Sequence, residues 1–160
     1  MKTLHLVRHA EAQDALPHQL DRERPLTPRG ARDALMMGQR LAARGGARPD
    51  ALLVSPATRT LATAGRLAQA LGLGAAQLVV DERLYGASPD VMLAVIGEQG
   101  AHVASLMLVS HNPGITELAR QFHDQLLHMK PGAVVQLVFE VDAWGALDAA
   151  VPLNSVVHVP

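Results

Sequence analysis

Short, nearly continuous apolar runs alternate along this chain with stretches whose apolar positions recur at helical spacing. The runs at 2–7 (KTLHLV), 51–55 (ALLVS), 77–80 (QLVV), 104–110 (ASLMLVS) and 134–141 (VVQLVFEV) read as strands. Several lack the alternating polar residue of a half-exposed strand, which predicts strands covered on both faces. Between them the pattern predicts helices over 28–44, 56–71, 89–98 and 113–128. Each helix is announced in one way. Thr27-Pro28, Ser55-Pro56, Ser88-Pro89 and Asn112-Pro113 place a side chain able to cap before a proline. The cap oxygen accepts an orphan backbone N–H, and proline suits the first helical position because its missing N–H is not needed there. Capping alone accounts for Ser55 and Asn112 at this level. Gly45-Gly46 and Gly72 are stop signals for the first two helices.

The alternation predicts an α/β fold: a three-layer α/β/α sandwich with a mostly parallel central sheet. Beyond residue 134 the pattern changes. β-rich stretches surround Asp142-Ala143-Trp144-Gly145, which reads as a turn, so the C-terminal end is expected to be an antiparallel edge hairpin. Segment 10–27 has no clear element, and loops of that length in compact domains are often functional.

Composition narrows the chemistry. The length of 160 residues fits one domain, 1–160. A hydrophobic content of 49% with 18% charged residues excludes a disordered chain. A net charge of −1 provides no bulk attraction to nucleic acid or membrane, so an anion must be held by a local cluster. Aromatic residues are too few for a base-stacking platform. There is no cysteine, which removes disulfides, thiolate metal sites and cysteine nucleophiles. No stretch reads as a signal peptide or membrane span, so a cytoplasmic location is expected.

Ligands of open α/β sheets bind beyond the carboxyl ends of the strands. Arg8 and His9 follow the first run. Arg59 follows the second, Glu82 follows the third between Asp81 and Arg83, and His111 follows the fourth. Two histidines, two or three arginines and a carboxylate therefore gather at one edge from distant segments. That set suits phosphoryl transfer. Arginines and helix N-termini bind the non-bridging oxygens, a neutral histidine is the nucleophile left when cysteine is absent, and a carboxyl group can protonate a leaving group. Arg24, in the long loop, is a candidate for the pocket rim; the alternative is that it pairs with a nearby carboxylate. No His/Asp cluster has metal-ligand spacing, so no metal and no cofactor are expected. His5 reads as packed or hydrogen-bonded, and His18, His102, His123, His128 and His158 read as structural or surface residues.

Leu6-Val7-Arg8-His9-Ala10-Glu11-Ala12 resembles the Arg-His-Gly motif of the histidine phosphatase superfamily, in the Arg-His-Ala form of its SixA-like phosphohistidine phosphatase branch. Three further segments match in order: Arg24-Pro25-Leu26-Thr27-Pro28-Arg29-Gly30, Val54-Ser55-Pro56-Ala57-Thr58-Arg59-Thr60 and Val109-Ser110-His111-Asn112-Pro113-Gly114. The resemblance implies that His9 is the nucleophile and that Arg8, Arg59 and His111 form the phosphate pocket. Asp81-Glu82-Arg83-Leu84-Tyr85-Gly86 looks like the stretch that carries the proton donor in the phosphoglycerate mutase branch, which would give that role to Glu82. In the SixA-like branch a donor is dispensable, because imidazole is already a good leaving group. Two departures stand out: Ala10 replaces the usual glycine, and the chain lacks insertions long enough for a cap domain. The implied function is a phosphohistidine phosphatase acting on a phosphorylated histidine-carrier protein. The alternatives are a phosphomonoesterase for a small phosphate ester and a binding protein that has lost turnover. No nucleic acid or membrane partner is implied.

Overall fold

The computed structural model describes residues 1–45 and 48–160. Ten regular elements follow the expected alternation: β1 (Lys2–Arg8), α1 (Pro28–Ala43), β2 (Ala51–Val54), α2 (Thr58–Leu71), β3 (Leu78–Val80), α3 (Pro89–Gly97), β4 (Ser105–Ser110), α4 (Gly114–Phe122), β5 (Val134–Phe139) and β6 (Asn154–His158). Short 3-10 turns occur at Asp21–Glu23, Ala75–Gln77, Glu82–Leu84 and Trp144–Ala149. The strands form one sheet in the order β3-β2-β4-β1-β5-β6. The first four in that order are parallel, and β5 and β6 are antiparallel to their neighbours.

The period of two along the central strands sorts side chains between two cores. Val7, Leu52, Val54, Met107 and Val109 pack with Met37 and Leu41 of α1 and Ala64 and Leu67 of α2. Leu4, Leu6, Leu53, Leu106 and Leu108 point the other way, against Met92 and Ile96 of α3, Ile115 and Leu118 of α4, and Trp144. Every residue of β4 is buried, as its uninterrupted apolar run requires. This is the expected three-layer sandwich.

Two of the four cap-proline pairs cap as expected. Thr27 accepts from Gly30 N and Ser88 from Val91 N. The other two do not. Helix α2 starts at Thr58 with Ala57 as its N-cap, and α4 starts at Gly114 after Pro113. Ser55 and Asn112 are instead drawn into tertiary hydrogen bonds that outcompete local capping. Helix α4 also stops at Phe122, short of the expected 128. The buried Leu126 and Met129 reach the core from a loop. Gly72 closes α2 with φ +67°; Gly45 lies just beyond α1 with φ +62°, and the expected stop at Gly46 lies outside the described residues.

The C-terminal strands do pair antiparallel at the sheet edge, but no tight turn joins them. Trp144 is 1% exposed and its Nε1 donates to Val103 O at 2.8 Å. The indole thus leaves the surface and pulls the connection under α3 instead of turning at 142–145.

Candidate active site

The carboxyl ends of β1, β2 and β4 lie side by side, with Arg8 opposite Ser110 in the β1–β4 register. His9 N continues that ladder by donating to Ser110 O at 3.1 Å. Two close approaches hold the surrounding segments in place, and each needs a glycine. A Cβ on Gly30 would collide with the carbonyl oxygen of Glu11, so glycine lets the start of α1 lie against the chain just after His9. A Cβ on Gly114 would collide with Ala87 O, so glycine lets α4 begin directly beneath the loop carrying Tyr85. Thr63 of α2 closes the third side. Its Oγ1 donates to Arg59 O at 2.8 Å and accepts from Ala10 N at 3.0 Å. Ala10 is fully buried there, so its extra methyl relative to glycine is accommodated.

Arg8, His9, Asp21, Arg24, Arg59, Tyr85, Gly86, His111 and Asn112 line one cavity of about 430 Å³. The structure therefore brings together five of the six residues singled out from sequence. Arg8 donates from Nη1 to Met129 O at 2.9 Å, and the same carbonyl accepts from Asn112 Nδ2 at 3.4 Å. Arg24 lines the cavity and also pairs with Asp21 at 3.1 Å. Glu82 is the residue left out. Its side chain is 75% exposed and meets Arg22 at 3.4 Å. Within the turn Glu82–Leu84 it is Leu84 that faces inward, and the chain then delivers Tyr85 to the cavity.

Asp21, a loop residue with no assigned role, is the carboxylate that enters. Its Oδ2 accepts from Tyr85 Oη at 2.6 Å and from Arg59 Nη2 at 2.9 Å, and its Oδ1 accepts from Arg24. Its main-chain oxygen accepts from Arg59 Nη1 at 2.8 Å. The Tyr85 hydroxyl foremost, then Arg59 and Arg24, hold the Asp21 carboxyl well below the usual carboxylate range. No local sequence signal marks Asp21; only the long unassigned loop hinted at function there.

Burial disfavours the charged form of both cavity histidines, His9 and His111. Burial pushes His9 down to about 4 despite its bond to Ala10 O, with Arg59, Arg8 and Arg24 adding to the fall. Burial, then Arg59 and His9, pushes His111 down to about 3. His9 Nδ1 lies 2.8 Å from Ala10 O. A carbonyl only accepts, so Nδ1 carries the proton and Nε2 keeps a free lone pair. The two rings stand 5.5 Å apart. Among the described residues, four buried side-chain nitrogens lack a partner, and three of them are Arg8 Nε, Arg59 Nε and His111 Nδ1. Guanidinium nitrogens left without a protein partner beside one cavity suit an oxyanion. A separate cavity of about 340 Å³ between α3 and Trp144 carries Asp90 and Asp148 but no cation, and does not suit an anion.

A cavity lined by two histidines, three arginines and one carboxylate suits a phosphoryl group. Residues 4–92 match the histidine phosphatase superfamily (branch 1), and the chain belongs to that family of phosphatases. An uncharacterized protein of Mycobacterium tuberculosis is 39% identical over 114 residues, 71% of this chain and 67% of that protein. A structure from Nakamurella multipartitia, described as a candidate phosphohistidine phosphatase SixA, is 32% identical with a TM-score of 0.85, covering 99% of this chain and 96% of that one. A similarly described protein from Agrobacterium tumefaciens is 25% identical with a TM-score of 0.79, covering 97% of each chain. The protein histidine phosphatase SixA complexed with tungstate shares the fold at 22% identity and a TM-score of 0.71, over 98% of this chain and 94% of that one. Among the described residues no helix is long and apolar enough to cross a membrane.

Proposed function

We propose that this protein is a phosphohistidine phosphatase that works through a covalent phosphoryl intermediate on His9. One observation carries the choice of substrate. Among the described residues the one carboxylate lining the cavity, Asp21, is held ionised by Tyr85, Arg59 and Arg24 and cannot serve as an acid at neutral pH. An alkoxide leaving group needs a proton in the transition state; the imidazole of a phosphohistidine needs it far less. The site therefore favours a nitrogen-linked phosphoryl group over a sugar or glycerol phosphate.

The phosphoryl oxygens sit among Arg8, Arg59 and His111. His9 Nε2 attacks phosphorus in line; the new P–N bond forms as the bond to the substrate imidazole breaks. Water then attacks phospho-His9, the P–Nε2 bond breaks, and inorganic phosphate leaves with the proton balance made by solvent. The Nδ1–H to Ala10 O bond keeps the ring aimed through both steps. No metal or cofactor enters the scheme. The open cavity suits a phosphorylated histidine-carrier protein, and a cytoplasmic setting would supply one.

The test is rapid quench with a labelled phosphohistidine protein, beside a panel of small phosphate esters. The expected result is a base-stable, acid-labile phosphoenzyme in the parent and none in His9→Ala, with the phosphoprotein preferred. Full turnover in His9→Ala would overturn the mechanism, and preference for a small ester would overturn the substrate.

A further inference from the structure

Ser55 reads in the sequence as a helix cap, yet it caps nothing: α2 begins at Thr58 behind Ala57. Its hydroxyl is fully buried and lies 2.7 Å from His111 Nε2. Its main-chain groups are already engaged, N with Val109 O and O with Thr60 Oγ1. Among the described residues the Ser55 hydroxyl has no other partner, so the one group to which it can donate is His111 Nε2. A buried hydroxyl that failed to donate would forfeit a hydrogen bond at a cost solvent cannot repair.

We propose that Ser55 is a positioning residue that donates its proton to His111 Nε2, fixing His111 in the Nδ1–H tautomer so that a neutral N–H is offered to a phosphoryl oxygen. This rests on the reading that the cavity holds a phosphoryl group. Two observations beyond the short contact support it. Among the described residues His111 Nδ1 is buried without a partner, although His111 lines the cavity beside His9. The ring is also neutral at working pH, since burial and the nearby Arg59 disfavour its charge, so tautomer rather than charge decides which nitrogen donates.

The pairing gives the two histidines complementary roles. His9 donates from Nδ1 to a main-chain carbonyl and keeps Nε2 as a nucleophile. His111 accepts at Nε2 from Ser55 and keeps Nδ1–H as a donor. Were His111 in the opposite tautomer, its orphaned Nδ1 lone pair would meet an anion and repel it.

The experiment is ¹⁵N long-range correlation NMR of the free protein, which reads the protonation of each ring nitrogen, together with vanadate inhibition. Parent, Ser55→Ala and Ser55→Thr are compared. The parent is expected to show His111 protonated at Nδ1. Ser55→Ala is expected to shift the ring toward Nε2–H and weaken vanadate inhibition about tenfold, the worth of one hydrogen bond to a charged group. Ser55→Thr, which keeps the hydroxyl, is expected to restore both. A parent protonated at Nε2 overturns the proposal even if neither variant folds. An Nδ1–H ring that is unmoved in Ser55→Ala, with unchanged inhibition, overturns the role of Ser55. A parent that shows the Nδ1–H ring and its dependence on Ser55 but binds no vanadate refutes the phosphoryl reading of the cavity, and leaves the control of the ring by Ser55 supported.

Discussion

His5 offers a sharp test of how burial controls ionisation in this fold. It sits within β1, 3% exposed, between Met107 of β4 and Gln136 of β5, and its Nδ1 has no partner among the described residues. Burial pushes it down from 6.5 to about 4; a bond to the Leu106 backbone opposes the shift and His158 adds to it. The sign follows from linkage. Between pH 6.5 and 4 the unfolded chain binds a proton at His5 and the folded protein does not. Stability is therefore intact above pH 6.5 and is lost as pH falls toward 4. At pH 5 the unfolded histidine is favoured by protonation about thirtyfold and the folded one hardly at all, which is about 2 kcal/mol. The perturbation is His5→Leu, similar in volume and unable to titrate. Urea unfolding at pH 7 and pH 5 gives four midpoints. With a slope of roughly 2 kcal/mol/M, the parent should lose about 1 M more in midpoint than the variant between the two pH values. The parent's total loss should be larger still, because His9 and His111 are also buried neutral, and that part persists in His5→Leu. The double difference removes any change in packing, which acts equally at both pH values. Identical pH dependence in parent and variant would refute the reasoning.

Other substitutions address the site and its scaffold. Gly114→Ala forces a methyl into Ala87 O and against Met92, and should cost about 2 kcal/mol or more, read as a lowered melting temperature; an unchanged melt would contradict the close approach. Thr63→Val leaves the buried Ala10 N–H without an acceptor and should cost about 1–3 kcal/mol by chemical unfolding, with no loss expected only if the main chain there moves. Glu82→Gln should leave kcat/KM on a phosphohistidine protein within about twofold, since the carboxylate is exposed beside Arg22; a hundredfold fall would make Glu82 the proton donor after all. Asp21→Asn should weaken the hold on the buried Arg59 and lower stability by roughly 1–2 kcal/mol, discounted because the carboxylate is half exposed; a stabilised variant would show that Asp21 strains the site.

The alternation of apolar runs and helical patterns determined the layers, because a parallel strand covered on both faces leaves a run that no other element imitates so well. Arg8, His9, Arg59 and His111 were legible because strand ends in such a sheet converge, and chemistry-bearing residues at those ends must meet. Arg24 was legible as a rim residue on weaker ground. Local rules failed where distant groups competed for the same atoms. Ser55 and Asn112 carry the residue types of caps, yet the Ser55 hydroxyl meets His111 and the Asn112 amide donates to Met129 O, both distant in sequence. Trp144 sat in a turn-like tetrapeptide, yet the free energy of burying an indole overrode it. The choice of carboxylate was tertiary in the same sense. Glu82 and Asp21 are both loop acids in sequence, and only the packing of Leu84 and the reach of Arg59 decide that Asp21 enters the cavity and Glu82 faces solvent. Composition and period fix which strand ends meet; the partners of each polar atom, and hence the tautomers and charges on which the chemistry depends, exist only once the chain has closed on itself.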